Sequence, residues 1–205
     1  MTVGSIERMF DLCSRVRTRL FTILLSTQFR EIGEGSRIVP PFRFSGLGQI
    51  SVGKRVIVHR GCWIHVLGRN DEEIGPKIII KSHAGIGMGA TISAARQVVI
   101  GEYALLARNV YISDHSHAFE NIAIPITLQG IDSVSPVSIG RGAWLGQNVV
   151  VLPGVTIGKH CVIGANSVVN CSIPDFSVAV GAPARVIKRF NQKAGVWERI
   201  ENNQE

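Results

Sequence analysis

Between Ile139 and Pro174 the chain repeats with a period of six residues. The segment divides without remainder into IGRGAW, LGQNVV, VLPGVT, IGKHCV, IGANSV and VNCSIP, and each repeat opens on an aliphatic residue. The fifth residue of nearly every repeat is small or β-branched, so two positions per repeat can point into a narrow core. Such a period indicates a parallel β-helix in which three flat sides make one coil of about eighteen residues.

Glycine recurs at the second position of these repeats, as Gly140, Gly146, Gly158 and Gly164. We expect the backbone to turn a corner there, because glycine accepts dihedral angles that other residues avoid.

Looser copies of the repeat begin at Ile32 and continue to residue 117, with a two-residue shift at Val98 and Val99 that we expect at a corner. Residues 67–77 and 118–138 do not fit the period and are predicted to leave the coil. Long loops on a compact scaffold usually carry function. The second of these loops directly follows residues 114–117, so we expect the functional end there.

One elongated β-helix domain is therefore predicted over residues 31–188, with residues 118–138 as an extruded loop. Residues 1–30 are expected to form an N-terminal amphipathic helix. Residues 189–205 form the tail, in which we predict a short helix over about Asn191–Gln204 that carries Trp197. The expected fold class is mainly β.

The N-terminal helix is predicted from apolar residues at three- and four-residue spacing, with arginines between them. The apolar set is Ile6, Met9, Phe10, Cys13, Val16, Leu20, Ile23 and Leu24, and the basic set is Arg8, Arg15, Arg17 and Arg19. Two interpretations stay open. The helix packs on the end of the coil or on a neighbouring subunit, or it docks on an anionic membrane surface beside a lipid-linked substrate.

Composition narrows the class of protein. The chain is 45% hydrophobic but only 6% aromatic, which suits a thin prism. Its four cysteines form no CxxC pair, and no secretory signal is visible at the N-terminus, so we expect a cytoplasmic protein, at the inner face of the membrane if the helix docks there. The net charge of +7 is spread over both ends with few aromatics near it, which argues against a nucleic-acid partner.

The run WLGQNVVVLPGVTIGKHCVIGANSVVNCSIPDFSVAVGAPARVIKRF, from Trp144 to Phe190, resembles the C-terminal half of the hexapeptide-repeat acetyltransferases. The similarity is greatest to the sugar and polysaccharide O-acetyltransferases related to galactoside and maltose acetyltransferase. The upstream sequences YISDHSH and PITLQG strengthen it. The resemblance implies a left-handed β-helix, a homotrimer, and acetyl-CoA bound between adjacent subunits. It also implies acetyl transfer to a hydroxyl of a sugar or surface-polysaccharide precursor.

By this resemblance His115 matches the catalytic histidine. Moving an acetyl group from a thioester to an alcohol requires a base to take the hydroxyl proton, and imidazole titrates near the working pH. His117, two residues further along an extended strand, is the second choice. Asp114, His117 and Trp144 are expected to contact the acceptor, with Trp144 walling the cleft where subunits meet.

The resemblance also implies which residues bind acetyl-CoA. They are Ala107, Gly146 and Ala165 along the coil, and Arg185 and Lys188 near the phosphates. One departure weakens the match. The family commonly has Thr-Lys shortly before Ile-Pro-Asp, whereas this chain has Asn-Cys-Ser at residues 170–172. A lysine contact to the nucleotide is therefore missing.

Three alternatives remain. The same base could serve N-acetylation of an amino nucleotide sugar. A zinc enzyme of the γ-carbonic anhydrase kind would need three converging histidines, for which His83, His115 and His117 are the candidates, but their spacing puts His83 on a different side of the coil. A non-catalytic scaffold is the third. We expect no bound metal, and structural roles for the remaining histidines.

Overall fold

The computed structural model describes residues 3–68 and 75–200. One α-helix, α1 (Val3–Ser26), precedes a long series of short strands. In chain order these strands are β1 (Glu31–Ile32), β2 (Arg37–Ile38), β3 (Arg43–Ser45), β4 (Ile50–Val52), β5 (Ile57–Val58), β6 (Trp63–Val66), β7 (Ile78–Ile80), β8 (Gly85–Ile86), β9 (Thr91–Ala94), β10 (Val98–Ile100), β11 (Leu105–Leu106), β12 (Tyr111–Ser113), β13 (Ser116–His117), β14 (Ile131–Asp132), β15 (Val137–Ile139), β16 (Trp144–Leu145), β17 (Val150–Val151), β18 (Thr156–Ile157), β19 (Val162–Ile163), β20 (Val168–Val169), β21 (Ser177–Val180), β22 (Arg185–Asn191) and β23 (Val196–Arg199).

Three sheets form the sides of a prism, and successive strands of each sheet come from successive coils. Sheet A has the order β1-β4-β7-β10-β15-β18, sheet B the order β2-β5-β8-β11-β16-β19-β21-β22-β23, and sheet C the order β3-β6-β9-β12-β17-β20. The coil strands pair in parallel throughout, whereas β22 and β23 pair antiparallel at the end of sheet B. The chain is a left-handed parallel β-helix, which confirms the predicted fold class.

The core follows the six-residue period. The first and fifth residues of the repeats point inward, and pairs such as Ala143 with Leu145 and Val149 with Val151 are completely buried. Because each coil stacks on the next at about the strand spacing of 4.8 Å, these side chains form continuous columns inside the prism.

The reason given above for glycine at the second position is wrong. Left-handed backbone occurs instead at the fourth position, for example at Gly142 (φ 66°) and Asn148 (φ 58°). At the second position the constraint is close approach between coils. A Cβ on Gly140 would lie 2.4 Å from the carbonyl carbon of Gly158, so no larger residue fits without moving backbone.

The frame shift also lies elsewhere than expected. Val98 and Val99 lie within β10, in register with Ile78 and Ile79 of the coil below. The two extra residues fall just before them, in the corner between Ile92 and Val98. This enlarged corner forms part of the site described below.

The C-terminal half of α1 closes the first coil. Leu25 of the helix and Phe29 just after it belong to the core, and the buried Thr22 hydroxyl accepts a hydrogen bond of 2.9 Å from the Ile38 N–H. Within the described residues, none of the helices is both long and apolar enough to cross a membrane.

The predicted C-terminal helix is wrong. Residues 185–199 form the antiparallel hairpin of β22 and β23, in which Phe190 packs edge-on against Trp197. Most side chains of β22 are half-buried, and pairing with β21 extends sheet B instead of ending it. Residues 201–205, which include the end of the predicted helix, lie outside the described residues.

Residues 114–136 leave the coil between β12 and β15. They contain the short hairpin of β13 and β14 and a 3-10 turn at Ile126–Leu128. Of the other predicted excursion, residues 69–74 lie outside the described residues.

Candidate active site

Asp114 and His115 directly follow β12, at the corner between sheets C and A. The Asp114 side chain is completely buried and lies against the enlarged corner at residues 95–97. Its Oδ1 accepts the N–H of Ala95 at 2.8 Å, and its Oδ2 accepts the N–H groups of Arg96 and Gln97 at 2.7 Å each. Three backbone donors thus compensate the buried carboxylate for the water it has lost.

The fourth hydrogen bond of this carboxylate orients His115. Nδ1 of His115 lies 2.8 Å from Oδ1 of Asp114. Because an ionised carboxylate only accepts, Nδ1 carries the proton, and Nε2 of the neutral ring is left as the acceptor. Asp114 therefore contacts His115 and backbone, and its burial removes it from the surface where we predicted a contact to substrate.

His115 is mostly covered, because only 11% of its side chain is exposed. Its Nε2 faces the hydroxyl of Ser93 at 3.4 Å, while the Ser113 hydroxyl donates to the His115 carbonyl at 2.7 Å. The order Ser93, His115, Asp114 resembles that of a hydrolytic triad. Ser93 is itself only 3% exposed, so its hydroxyl is poorly placed to attack a bulky thioester.

A polar column on sheet C, which sequence reasoning missed, supports this histidine. His65, Ser93 and Ser113 occupy matching register positions on β6, β9 and β12. Burial lowers the pKa of His65, and its electrostatic interaction with His115 lowers it further, so the two rings do not favour being protonated together. Trp63 stacks on the His65 ring at 4.4 Å. The insertions at 67–77 and 95–97 hide this alignment in the sequence, because they break the eighteen-residue spacing.

His117 lies in β13 opposite Ile131 and is exposed. The loop beyond it is ordered by Gln129, whose amide donates to the carbonyls of Asn121 at 2.8 Å and Ile124 at 2.7 Å. Several large apolar side chains of this loop face outward, and Ile122 is fully exposed. The loop is thus held in shape beside His115 while presenting apolar surface.

The residues assigned to acetyl-CoA lie on another side of the prism. Ala107 and Ala165 lie at the corner between sheets B and C, where Ala107 is half-buried and Ala165 is exposed. Arg185 and Lys188 lie on β22, at the end of sheet B. Trp144, half-exposed, projects from β16 of the same sheet. Within one subunit the structure therefore does not bring these residues to His115.

Gly146 differs from the others in this set because it is buried. A Cβ there would lie 2.7 Å from the backbone nitrogen of Ala165, which shows that Gly146 lets two coils approach. It packs the corner and does not line an open surface of the subunit.

The histidines proposed for zinc do not converge. His83 lies at the corner between sheets A and B, where it stacks on Tyr103 at 4.6 Å. His115 lies at the corner between sheets C and A. In residues 3–68 and 75–200, no three His, Cys, Asp or Glu side chains are grouped so as to hold a metal ion.

Comparisons with known proteins agree with this architecture. Residues 136–171 match the family model described as bacterial transferase hexapeptide (six repeats). A putative lipopolysaccharide biosynthesis O-acetyl transferase, WbbJ of Escherichia coli K12, is 31% identical over 95% of this chain and 97% of its own length. The galactoside O-acetyltransferase of the same organism is 30% identical over 83% of this chain and 68% of its own length.

A probable acetyltransferase of Mycobacterium tuberculosis is 38% identical over 75% of this chain. The matched region spans 55%, about half, of that longer relative.

Among solved structures, AntD, an N-acyltransferase from Bacillus cereus, has a TM-score of 0.69, with 83% of this chain and 89% of that chain covered. It was solved in complex with dTDP-4-amino-4,6-dideoxyglucose and coenzyme A. At 21% sequence identity, this likeness extends to the fold alone.

Proposed function

The chain belongs to the hexapeptide-repeat acetyltransferases, and we propose that it moves an acetyl group from acetyl-CoA to a hydroxyl of a sugar or surface-polysaccharide precursor. It is an acyltransferase acting on sugar-related substrates, with acetyl-CoA as donor. The observation that supports the chemistry is the Asp114–His115 pair, because it leaves Nε2 of a neutral imidazole as the proton acceptor.

In this mechanism His115 acts as general base. The acceptor hydroxyl gives its proton to Nε2 while its oxygen attacks the thioester carbonyl, and Asp114 stabilises the imidazolium that forms. The bond from carbon to sulfur then breaks, and the thiolate of CoA takes the proton back from Nε2. Transfer is direct within one ternary complex. An acetyl group trapped on Ser93 would contradict this step.

We propose that the site is shared between subunits of a cyclic trimer. His115 lies at one corner of the prism, whereas Trp144 and Arg185 lie on sheet B. One acetyl-CoA molecule can meet both sets only if a second subunit places its sheet B against the His115 corner. The exposed apolar side chains of Leu105 on sheet B and Tyr111 on sheet C support such contacts.

Mixed trimers test the shared site. His115→Ala subunits are refolded together with Arg185→Ala/Lys188→Ala subunits, and turnover is read at low acetyl-CoA concentration. Each mixed ring has one interface with both halves intact, so random mixing should restore about a quarter of the wild-type sites. No recovery in rings that mass measurement shows to be mixed would mean that the site lies within one subunit.

The acceptor assignment is tested with an acetyl-CoA thiol-release assay on galactosides, lipid-linked oligosaccharides and amino nucleotide sugars. Mild alkali releases acetate from an ester but not from an amide, so the product reports O- or N-acetylation directly. His115→Ala should lower kcat by about 10²- to 10⁴-fold with acetyl-CoA binding retained. The matched His117→Ala variant, at a residue expected to contact the acceptor, should keep kcat and change only the KM for the acceptor. An active His115→Ala enzyme would contradict the assignment of His115 as the base. An alkali-stable product would contradict transfer to a hydroxyl.

A further inference from the structure

The first half of α1 stands away from the rest of the subunit. Every residue from 6 to 17 is exposed. Over residues 6–26, the buried side chains are Thr18, Thr22 and Leu25, and Phe21 and Ser26 are partly buried. At 1.5 Å per residue, this free part is about 18 Å long.

One face of α1 is apolar and uncovered. Its large exposed side chains are Ile6, Met9, Phe10, Leu12, Val16, Leu20, Ile23 and Leu24. By helical periodicity most of them project opposite to Thr18, Thr22 and Leu25, which face the coil, so the subunit cannot cover them. Leu24 is 73% and Phe10 is 68% exposed. A continuous apolar face of this size marks an interaction surface.

The charges beside this face select the partner. Arg17 and Arg19 border it, with Arg8 and Arg15 further round the same helix. Among the described residues, no carboxylate lies within ion-pair distance of any of these arginines. A bundle of identical helices packed through this face would gather the flanking arginines around one seam without acidic residues at matching positions. Self-association is therefore disfavoured, whereas an anionic surface complements the arginines.

More arginines lie in a cleft beside the helix. Arg15 and Arg19 line a cleft of about 960 Å³ between α1 and the coil, and Arg37 and Arg60 line the same cleft. The positive surface therefore continues from the helix onto sheet B, although two carboxylates also border the cleft.

We propose that α1 docks on the surface of an anionic phospholipid bilayer. Its apolar side chains enter the boundary between headgroups and acyl chains, while the arginines reach lipid phosphates. The helix lies in the plane of the interface and does not span it.

Flotation of the full-length protein with vesicles tests this inference. Vesicles of phosphatidylcholine and phosphatidylglycerol in equal amounts are compared with vesicles of phosphatidylcholine alone, without acetyl-CoA or acceptor, so the result does not depend on the proposed reaction. Wild-type protein should float with the anionic vesicles, and added NaCl should release it. Val16→Gln/Leu20→Gln should lower partitioning at least tenfold. Arg17→Gln/Arg19→Gln should lower it about fivefold per arginine.

Two matched controls change the same chemistry elsewhere. Ile122→Gln/Leu128→Gln removes two exposed apolar side chains from the loop, and Lys54→Gln/Lys81→Gln removes two exposed charges from the coil corners. Both should float like wild type. Wild-type protein that stays with the unbound fraction would overturn the proposal. So would a Val16→Gln/Leu20→Gln protein whose oligomeric mass falls while its flotation is unchanged, because the face would then join copies of the chain.

Discussion

Replacing Asp114 by asparagine should disable His115 without removing it. The carboxylate accepts four hydrogen bonds, two on each oxygen. Asparagine has only one acceptor oxygen, and this oxygen should take the position of Oδ2, where two backbone N–H groups point at it. The amide NH₂ then faces Nδ1 of His115, which must become an acceptor, so the proton moves to Nε2. The base is left in the wrong tautomer.

The expected kinetic effect is the loss of general-base catalysis, about 10²- to 10⁴-fold in kcat. The KM for acetyl-CoA should not change, because Asp114 is remote from Arg185 and Lys188. The same substitution sets the Ala95 N–H against an NH₂ group, and an unsatisfied buried donor costs about 1–3 kcal/mol. For a chain of this length, that corresponds to a fall in Tm of roughly 2–12 °C.

Initial rates measured well below the melting temperature separate the loss of kcat from the loss of stability. Circular dichroism gives the folded fraction in the same samples. Asp175→Asn is the matched control, since that carboxylate is 45% exposed and pairs with Lys159 at 3.4 Å. It should keep kcat within about twofold, because its exposed pair contributes little. Wild-type kcat in fully folded Asp114→Asn protein would refute the tautomer argument, and so would a loss that matches the unfolded fraction.

Three further results are expected. Arg185→Ala/Lys188→Ala should raise the KM for acetyl-CoA but not for the acceptor, and added salt should partly reproduce this rise. Unchanged acetyl-CoA kinetics would mean that these two charges are solvated and do not contact the cofactor. Gln129→Ala should loosen the loop and raise the acceptor KM alone, and an unchanged acceptor KM would exclude the loop from acceptor binding. Burial raises the pKa of Cys62 to about 11. Native protein at pH 8 should therefore be alkylated rapidly at the exposed Cys171 and slowly at Cys62, and the rate at Cys62 should rise with pH. Equal rates by peptide mass spectrometry would contradict that burial.

The site was only partly predictable. His115 follows from the family resemblance, and its place just before a loop that breaks the repeat agrees with it; its catalytic role stays a prediction. The role of Asp114 could not, since its partners are backbone N–H groups of the previous coil, which carry no side-chain signature. His65 was missed for a related reason. It becomes a neighbour of His115 only through register, and two insertions conceal that register along the chain.

In the C-terminal tail, the local sequence pattern did not determine the secondary structure. The sequence predicts a helix over residues 191–204, yet β22 adds to the open edge of β21 and offers its own edge, to which residues 196–199 add as β23. Pairing with an existing strand overrides a weak helical pattern, because it satisfies the backbone groups of both partners.

The six-residue period by itself determined the β-helix, its inward columns and the place where the coil is interrupted. A period is local information, and it repeats identically wherever the same core must be filled. The tertiary structure alone decided which corner is enlarged, which carboxylate is buried against it, and which nitrogen of His115 lies against that carboxylate. Those features arise between coils, where groups remote in sequence come within hydrogen-bond distance, and such geometry depends on stacking register and not on the residues of any one repeat.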